Sequence, residues 1–390
     1  MRWKEEAPLS ERIAKATCRR TEVYLDPASH HFLGDRLFMD DPGRLNGDRQ
    51  NAPYAHLRDH LAEQGIPVHT ADFLPASVDG ETVKIYFSLG RYDQVEALAR
   101  RPDVVLSGFF AMECPIVEPS LFRALPRLAR RFRRVFSWSD SPSLRRFTGA
   151  DLPLRPFRWP QSFDTVHAGI WENRDRKFLV MINANKLPRV DWQELYTERL
   201  RAVEFFARTG EIDLYGKGWD RPSVRVGNTW VPWTVKRPWL ALQRKWKAAF
   251  PDPLLAAARR AWHGPVVSKA ETFGRYNFAL CFENCILRGW ITEKIFDCFF
   301  AGTVPVYWGA PEIADVVPTE CFIDMREFSD YAALRRFLRS LSPADVDRYR
   351  EAARDFLGSA AYRPFTCGAF TSLVEDCVAE DGGLVTAAVA

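Results

Sequence analysis

Short apolar runs alternate with amphipathic stretches along most of the chain. TEVYL, VHTADFL, VKIYFSL, VVLSGFF and VFSW in the first half, and KFLVMI, IDLYG, FALCF and VPVYW in the second, predict strands, several of them buried on both faces. Between them lie helical patterns. YAHLRDHLAEQG places Leu57 and Leu61 four apart and stops at Gly65. Tyr92 to Arg100 also reads as helix. SLFRALPRLARRFRR sets Leu121, Leu125, Leu128 and Phe132 on one face, with Pro126 marking a kink or a late start. Five of its six Arg fall where a helix dipole favours cations. DWQELYTERLRAVEFFARTG, TEKIFDCFFAG, DYAALRRFLRSL and DVDRYREAARDFLG continue the rhythm. Strand–helix alternation implies an α/β fold of parallel sheets covered on both faces. Two such series imply two Rossmann-like domains facing a cleft. The boundaries fall at 1–160 and 161–345, the latter with a basic amphipathic insert at 222–262. A helix and tail at 346–390 are expected to pack back on the first domain.

Composition narrows the class. The 390 residues are 47% hydrophobic, enough for a large core. No run of 18 apolar residues occurs, so no spanning helix is expected. MRWKEEAPLSERIAKAT lacks an apolar signal core, which makes the expected location cytoplasmic. The 8 Cys include no CxxC pair and no zinc spacing, so they read as reduced and mostly buried. A net charge of +4 argues against a nucleic-acid partner. Between Thr234 and Trp262, however, seven basic residues stand against Asp252 alone.

Chemistry gathers in FENCILRGWITEK, Phe282 to Lys294, between a strand and a helix. Ligands of open α/β sheets sit beyond the carboxyl ends of the strands, where this loop leaves. Thr292 reads as the N-cap of the next helix, with Glu293 and Lys294 in its first turn. Free N–H groups there, together with Lys294, suit a phosphate. A lysine in a first turn opposes the dipole, and a nearby anion would remove the conflict. Glu293 suits sugar hydroxyls, and Asn284 offers a donor and an acceptor.

The segment YNFALCFENCILRGWITEKIFDCFFAGTVPVYWGAP resembles the donor-site motif of glycosyltransferase family 10, the α-1,3/4-fucosyltransferases. The resemblance implies a GT-B architecture, an inverting reaction and GDP-fucose as donor, with the acceptor glycan held by the N-terminal domain. It carries Asn284, Glu293 and Lys294 over as donor-binding residues. Trp290 stands where the family usually has Tyr, and Cys285 where it has Ser or Thr, which changes the groups offered to the donor. The family's diphosphate-gripping Arg matches Arg199, with Arg201 as the near alternative, and Asn185 and Tyr215 end the flanking strands. The family's catalytic base, a Glu after a strand and before a proline, matches Glu113, with Glu118 five residues on. The lack of an anchor helix points to a bacterial-type member.

No essential metal and no cofactor beyond the donor are expected. The one Asp-x-Asp, Asp345-Val-Asp347, reads as a helix cap. His56 and His60 read as surface residues, and His30 and His31 lie in a loop that could face an acceptor. Alternatives stay open: another nucleotide sugar on the same machinery, or a catalytically silent glycan-binding protein.

The insert admits two readings. WLALQRKWKAAF sets Trp239, Leu242, Trp246 and Phe250 on one stripe. The helix either packs on its domain with a basic face in water, or lies on an anionic membrane surface through 234–262. PLLAAARRAW follows, with Asp252 as its cap and Pro253 at the first helical position.

Overall fold

A computed structural model describes residues 19–40, 48–221, 233–250 and 253–384. Two parallel sheets organise them. The first contains β1 (Arg20–Pro27), β2 (Val68–Thr70), β3 (Thr82–Leu89), β4 (Val104–Phe110), β5 (Arg134–Ser137) and β6 (Leu154–Pro156), in the order β2-β1-β3-β4-β5-β6. The second contains β7 (Lys177–Ile182), β8 (Ile212–Tyr215), β9 (Tyr276–Phe282), β10 (Val304–Trp308) and β11 (Ile323–Asp324), in the order β11-β10-β9-β7-β8. Both have the same winding: the first strand of each sheet pairs with the second on one side and the third on the other. The direction in which strands are added to the sheet reverses between β1 and β3 and between β7 and β9, while all strands stay parallel, and such switch points open crevices at the strand ends.

The expected strands form because their apolar runs can be buried on both faces. In β3 seven consecutive residues are buried, from Val83 to Leu89. Phe110 of β4 stacks on Phe136 of β5 at 4.6 Å and meets Phe370 at 5.6 Å. Each such buried ring contributes roughly 1.5–3 kcal/mol. VHTADFL is only partly a strand, since a 3-10 turn takes over at Ala71–Phe73.

Two helix boundaries move for identifiable reasons. The helix expected from Asp191 begins at Tyr196, because Gln193 adopts a positive φ of 43° and Glu194 bridges to Cys285. The Glu194 carboxylate then accepts from Thr197 N at 3.0 Å and opens the helix. The arginine-rich helix ends at Leu128, so most of its Arg lie beyond the dipole's reach. Arg134 instead starts β5, buried, and donates to Asp381 Oδ2 at 2.8 Å. Asp381 belongs to the helix Cys367–Leu384, which lies against the first sheet's helix Ala52–Glu63. His56 and His60 serve this contact, reaching Thr371 Oγ1 at 2.9 Å and Glu375 Oε2 at 3.1 Å. Asp345 caps its helix as expected, in a capping box with Ser342. Asp252 lies outside the described residues, while Pro253 opens its helix as read.

Candidate functional site

One cavity of about 720 Å³ lies between the carboxyl ends of the two sheets. The first half contributes Phe32, Leu37, Tyr54, Met112, Glu113 and Trp159; the second contributes Arg199, Asn284, Trp290, Glu293 and Lys294. Six of the eight residues singled out from sequence therefore share one space.

The second-half wall is built around a buried carboxylate. Glu283, directly after β9, is 0% exposed. It accepts from Thr292 N at 2.8 Å, from Thr292 Oγ1 at 2.9 Å and from Lys294 Nζ at 3.0 Å. Thr292 thus occupies the N-cap position without capping, because its hydroxyl is turned to Glu283. The anion that Lys294 needs in a first turn is supplied by the protein itself. Burial pulls the Lys294 ammonium down, but Glu283 and Glu293 outweigh it and its pKa is raised. Glu293 is driven the other way: burial pushes it up, and Lys294 and Lys269 hold it down at about 2. Lys269 reaches Asp297 Oδ2 at 2.8 Å and Glu293 Oε1 at 3.8 Å. Both Lys269 and Asp297 line the cavity.

Arg199 is buried on the helix Tyr196–Ala207. Its Nη2 donates to Phe282 O at 2.6 Å and to Asn284 Oδ1 at 3.1 Å, and its Nε has no partner. Its guanidinium lies 4.8 Å above the Tyr196 ring. Burial lowers its pKa, opposed by Tyr196 and Glu283. Arg201 points away and is ion-paired to Glu198 at the surface. Trp290 is buried against Trp138, with ring centroids 4.2 Å apart, and its indole N–H has no partner. A bound acceptor atom would satisfy that group.

Glu113 follows β4 on the opposite wall. Its side chain is solvent-accessible, yet the surrounding protein raises its pKa, opposed by the Cys114 N–H and by Lys186 and Lys294. Glu118 is occupied by Arg189 at 3.0 Å and does not line the cavity.

Four expectations meet a different placement in the structure. Asn185 is not on the wall; its Nδ2 donates to Gly218 O and Arg221 O, both at 3.0 Å, and shapes the loop after β8. Tyr215 is also off the wall, hydrogen-bonded to Tyr276 at 3.2 Å and stacked on His263. Their places are taken by Asn183, Ala184, Gly216 and Lys217. Cys285 is fully buried as a free thiol, hydrogen-bonded to the thiol of Cys114, so it offers nothing to the cavity. His30 and His31 likewise stay off the wall, although Phe32 beside them is on it. Sequence reasoning missed Glu283, Lys269, Asp297 and Lys186. Only Glu283 carried a signal, as the second carboxylate of the loop motif.

Residues 258–353 match the family model described as Glycosyltransferase family 10 (fucosyltransferase) C-term. The matched stretch contains Asn284, Trp290, Glu293 and Lys294, and lies outside Glu113 and Arg199. The alpha-(1,3)-fucosyltransferase of Helicobacter pylori is 39% identical over 66 residues, covering 17% of this chain and 14% of that protein. The GDP-fucose protein O-fucosyltransferase 3 of Gallus gallus is 39% identical over 78 residues, covering 20% and 16%. The matches thus span less than a fifth of either relative. A crystal structure of an alpha1,3-fucosyltransferase with GDP aligns over 96% of this chain and 97% of its own, at 14% identity and a TM-score of 0.47.

Proposed function

From a chain whose residues 258–353 match the glycosyltransferase family 10 model, we propose an inverting fucosyltransferase that moves L-fucose from GDP-fucose to a hydroxyl of an acceptor glycan. A bacterial surface polysaccharide or a lipid-linked oligosaccharide is the acceptor class in view. Its location is at the cytoplasmic side.

The observation that carries the reading is the opposition across one cavity of a carboxylate and two basic side chains. Glu113 stands on the first half, and Arg199 and Lys294 on the second. In a single displacement Glu113 takes the proton from the acceptor hydroxyl. The acceptor oxygen then bonds to the anomeric carbon, and the bond from that carbon to the β-phosphate oxygen breaks with both electrons leaving on GDP. A raised carboxyl pKa suits a base, since the proton is held more strongly once transferred. Arg199 and Lys294 stabilise the charge that develops on the diphosphate. No essential metal is required on this reading. Glu293 and Asn284 position ribose or fucose, and Phe32, Leu37, Met112 and Trp159 offer apolar faces to an acceptor sugar ring.

GDP release from GDP-fucose, beside other GDP- and UDP-sugars and with or without EDTA, tests the reading. Release specific to GDP-fucose and indifferent to EDTA supports it. Preference for another nucleotide sugar keeps the mechanism and overturns the donor; the unpartnered Trp290 N–H, in place of a phenolic hydroxyl, is the observation favouring that second reading. Tight GDP binding with no turnover on any acceptor assigns the fold to glycan binding alone.

A further inference from the structure

The helix Trp233–Ala249 turns an apolar stripe to water. Val235, Trp239, Leu242, Trp246 and Phe250 are 59%, 55%, 58%, 66% and 67% exposed. Their spacings of three and four residues keep them on one side of a 3.6-residue helix. Among the helix's described side chains only Leu240 is buried. Packing on the domain, one of the two readings open from sequence, therefore leaves this face uncovered. Trp246 and Phe250 lie against each other at 5.5 Å, and among the described residues no other ring meets either.

Charge decides what covers the stripe. Residues 234–250 hold five basic residues and no acid. Lys245 and Lys247 adjoin Trp246, each about 100° from it around the helix, so they border the stripe on both sides. Aromatic rings bordered by lysines suit the headgroup level of a bilayer. There the rings enter the acyl boundary, and long cationic chains reach anionic phosphates. No helix among the described residues is long and apolar enough to cross a membrane. We propose that this helix docks the protein on an anionic lipid surface, lying in its plane.

The helix that follows ties this surface to the cavity. Pro253–Ala261 packs on the Arg199-bearing helix Tyr196–Ala207 through Leu255 and Ala258. Arg259 Nε donates to Trp219 O at 3.1 Å, and Trp262 Nε1 donates to Gly216 O at 2.8 Å. Gly216 is part of the cavity wall. The segment that follows the docking helix in the chain is thus anchored beside the second-half wall, and on this proposal a lipid-borne substrate would be held close to that wall.

Flotation of the full chain with vesicles tests this without any sugar, so its outcome is separate from that of the transferase reading. Binding to mixed phosphatidylglycerol–phosphatidylcholine vesicles is expected, weak on phosphatidylcholine alone and weakened by salt. Lys245→Gln should reduce it roughly fivefold. Trp246→Ser with Phe250→Ser should abolish it while the circular-dichroism melt stays unchanged. Undiminished vesicle binding by that double variant overturns the proposal. So does a wild-type protein that ignores anionic vesicles; a dimer in sedimentation that the same double variant dissolves would then assign the stripe to a second copy.

Discussion

Lys294 Nζ lies 3.0 Å from Glu283 Oε2, and that carboxylate is completely buried. The two ends of the loop motif are therefore one structural unit, with Thr292 bridging them. Removing the lysine leaves a buried charge with only Thr292 as its hydrogen-bond partner and no counter-ion, which costs far more than the pair contributes. Lys294→Ala is expected to lose about 3 kcal/mol of stability along with nucleotide affinity. Lys294→Met with Glu283→Gln should recover most of the stability and none of the affinity. Urea denaturation and GDP titration of both variants separate the two roles.

On the proposed mechanism Glu113 works only as the carboxylate. Desolvation by the cavity walls raises its pKa although the side chain reaches solvent, so activity is full above the raised value and falls as pH drops through it. The acidic limb of kcat/KM should lie above the ordinary carboxylate range. Glu113→Gln should lower kcat by roughly 10²- to 10⁴-fold and leave GDP affinity intact. A carboxyl whose pKa is raised by folding destabilises the fold at neutral pH, so this variant should melt no lower than wild type. A large fall in Tm would mean that Glu113 is structural.

Acid should weaken the second domain through Glu211. Arg335 holds its carboxyl down at about 2 against burial, with Thr209 and Arg339 assisting. Arg335 Nε is 2.6 Å from Oε2 and Arg339 Nη2 is 2.7 Å from Oε1. A depressed folded pKa gives stability that is present above the unfolded value near 4.5 and lost as pH falls towards about 2. Both arginines are partly exposed, so about 1 kcal/mol is expected. Tm measured across that window should fall less steeply for Glu211→Gln than for wild type.

The cavity wall should not tolerate a side chain at Gly216. Its φ is 126°, and a Cβ would stand 2.0 Å from Asn183 O. Gly216→Ala must displace the loop after β7, with an expected cost of about 1–3 kcal/mol and a clear loss of GDP affinity. Gly210→Ala is the control: φ is 66° with open space around it, so about 1 kcal/mol should go and GDP binding should stay. Isothermal titration with thermal melts decides between them.

The chain's own pattern determined the strands, the doubly wound character of both halves and the loop motif. KFLVMI, VVLSGFF and VPVYW are strands at the positions read, because a continuous apolar run of that length is stable only when covered on both faces. Asn284, Glu293 and Lys294 stood out because they crowd the loop between a strand and a helix, whereas Arg199 and Glu113 were singled out by resemblance to the family; all five line the cavity. Tertiary structure alone decided where side chains at strand ends point. Asn185 and Tyr215 end the expected strands and still face away, since loop path, not sequence position, sets direction once the ladder stops. It also decided pairings across distance. Glu283 meets Lys294, Arg134 meets Asp381 and Cys114 meets Cys285 only after the sheets are stacked, and a buried charge or thiol reveals its partner only where water has been excluded. The stripe of Trp239, Trp246 and Phe250 was visible as periodicity, but that the domain leaves it exposed is decided only by the tertiary structure.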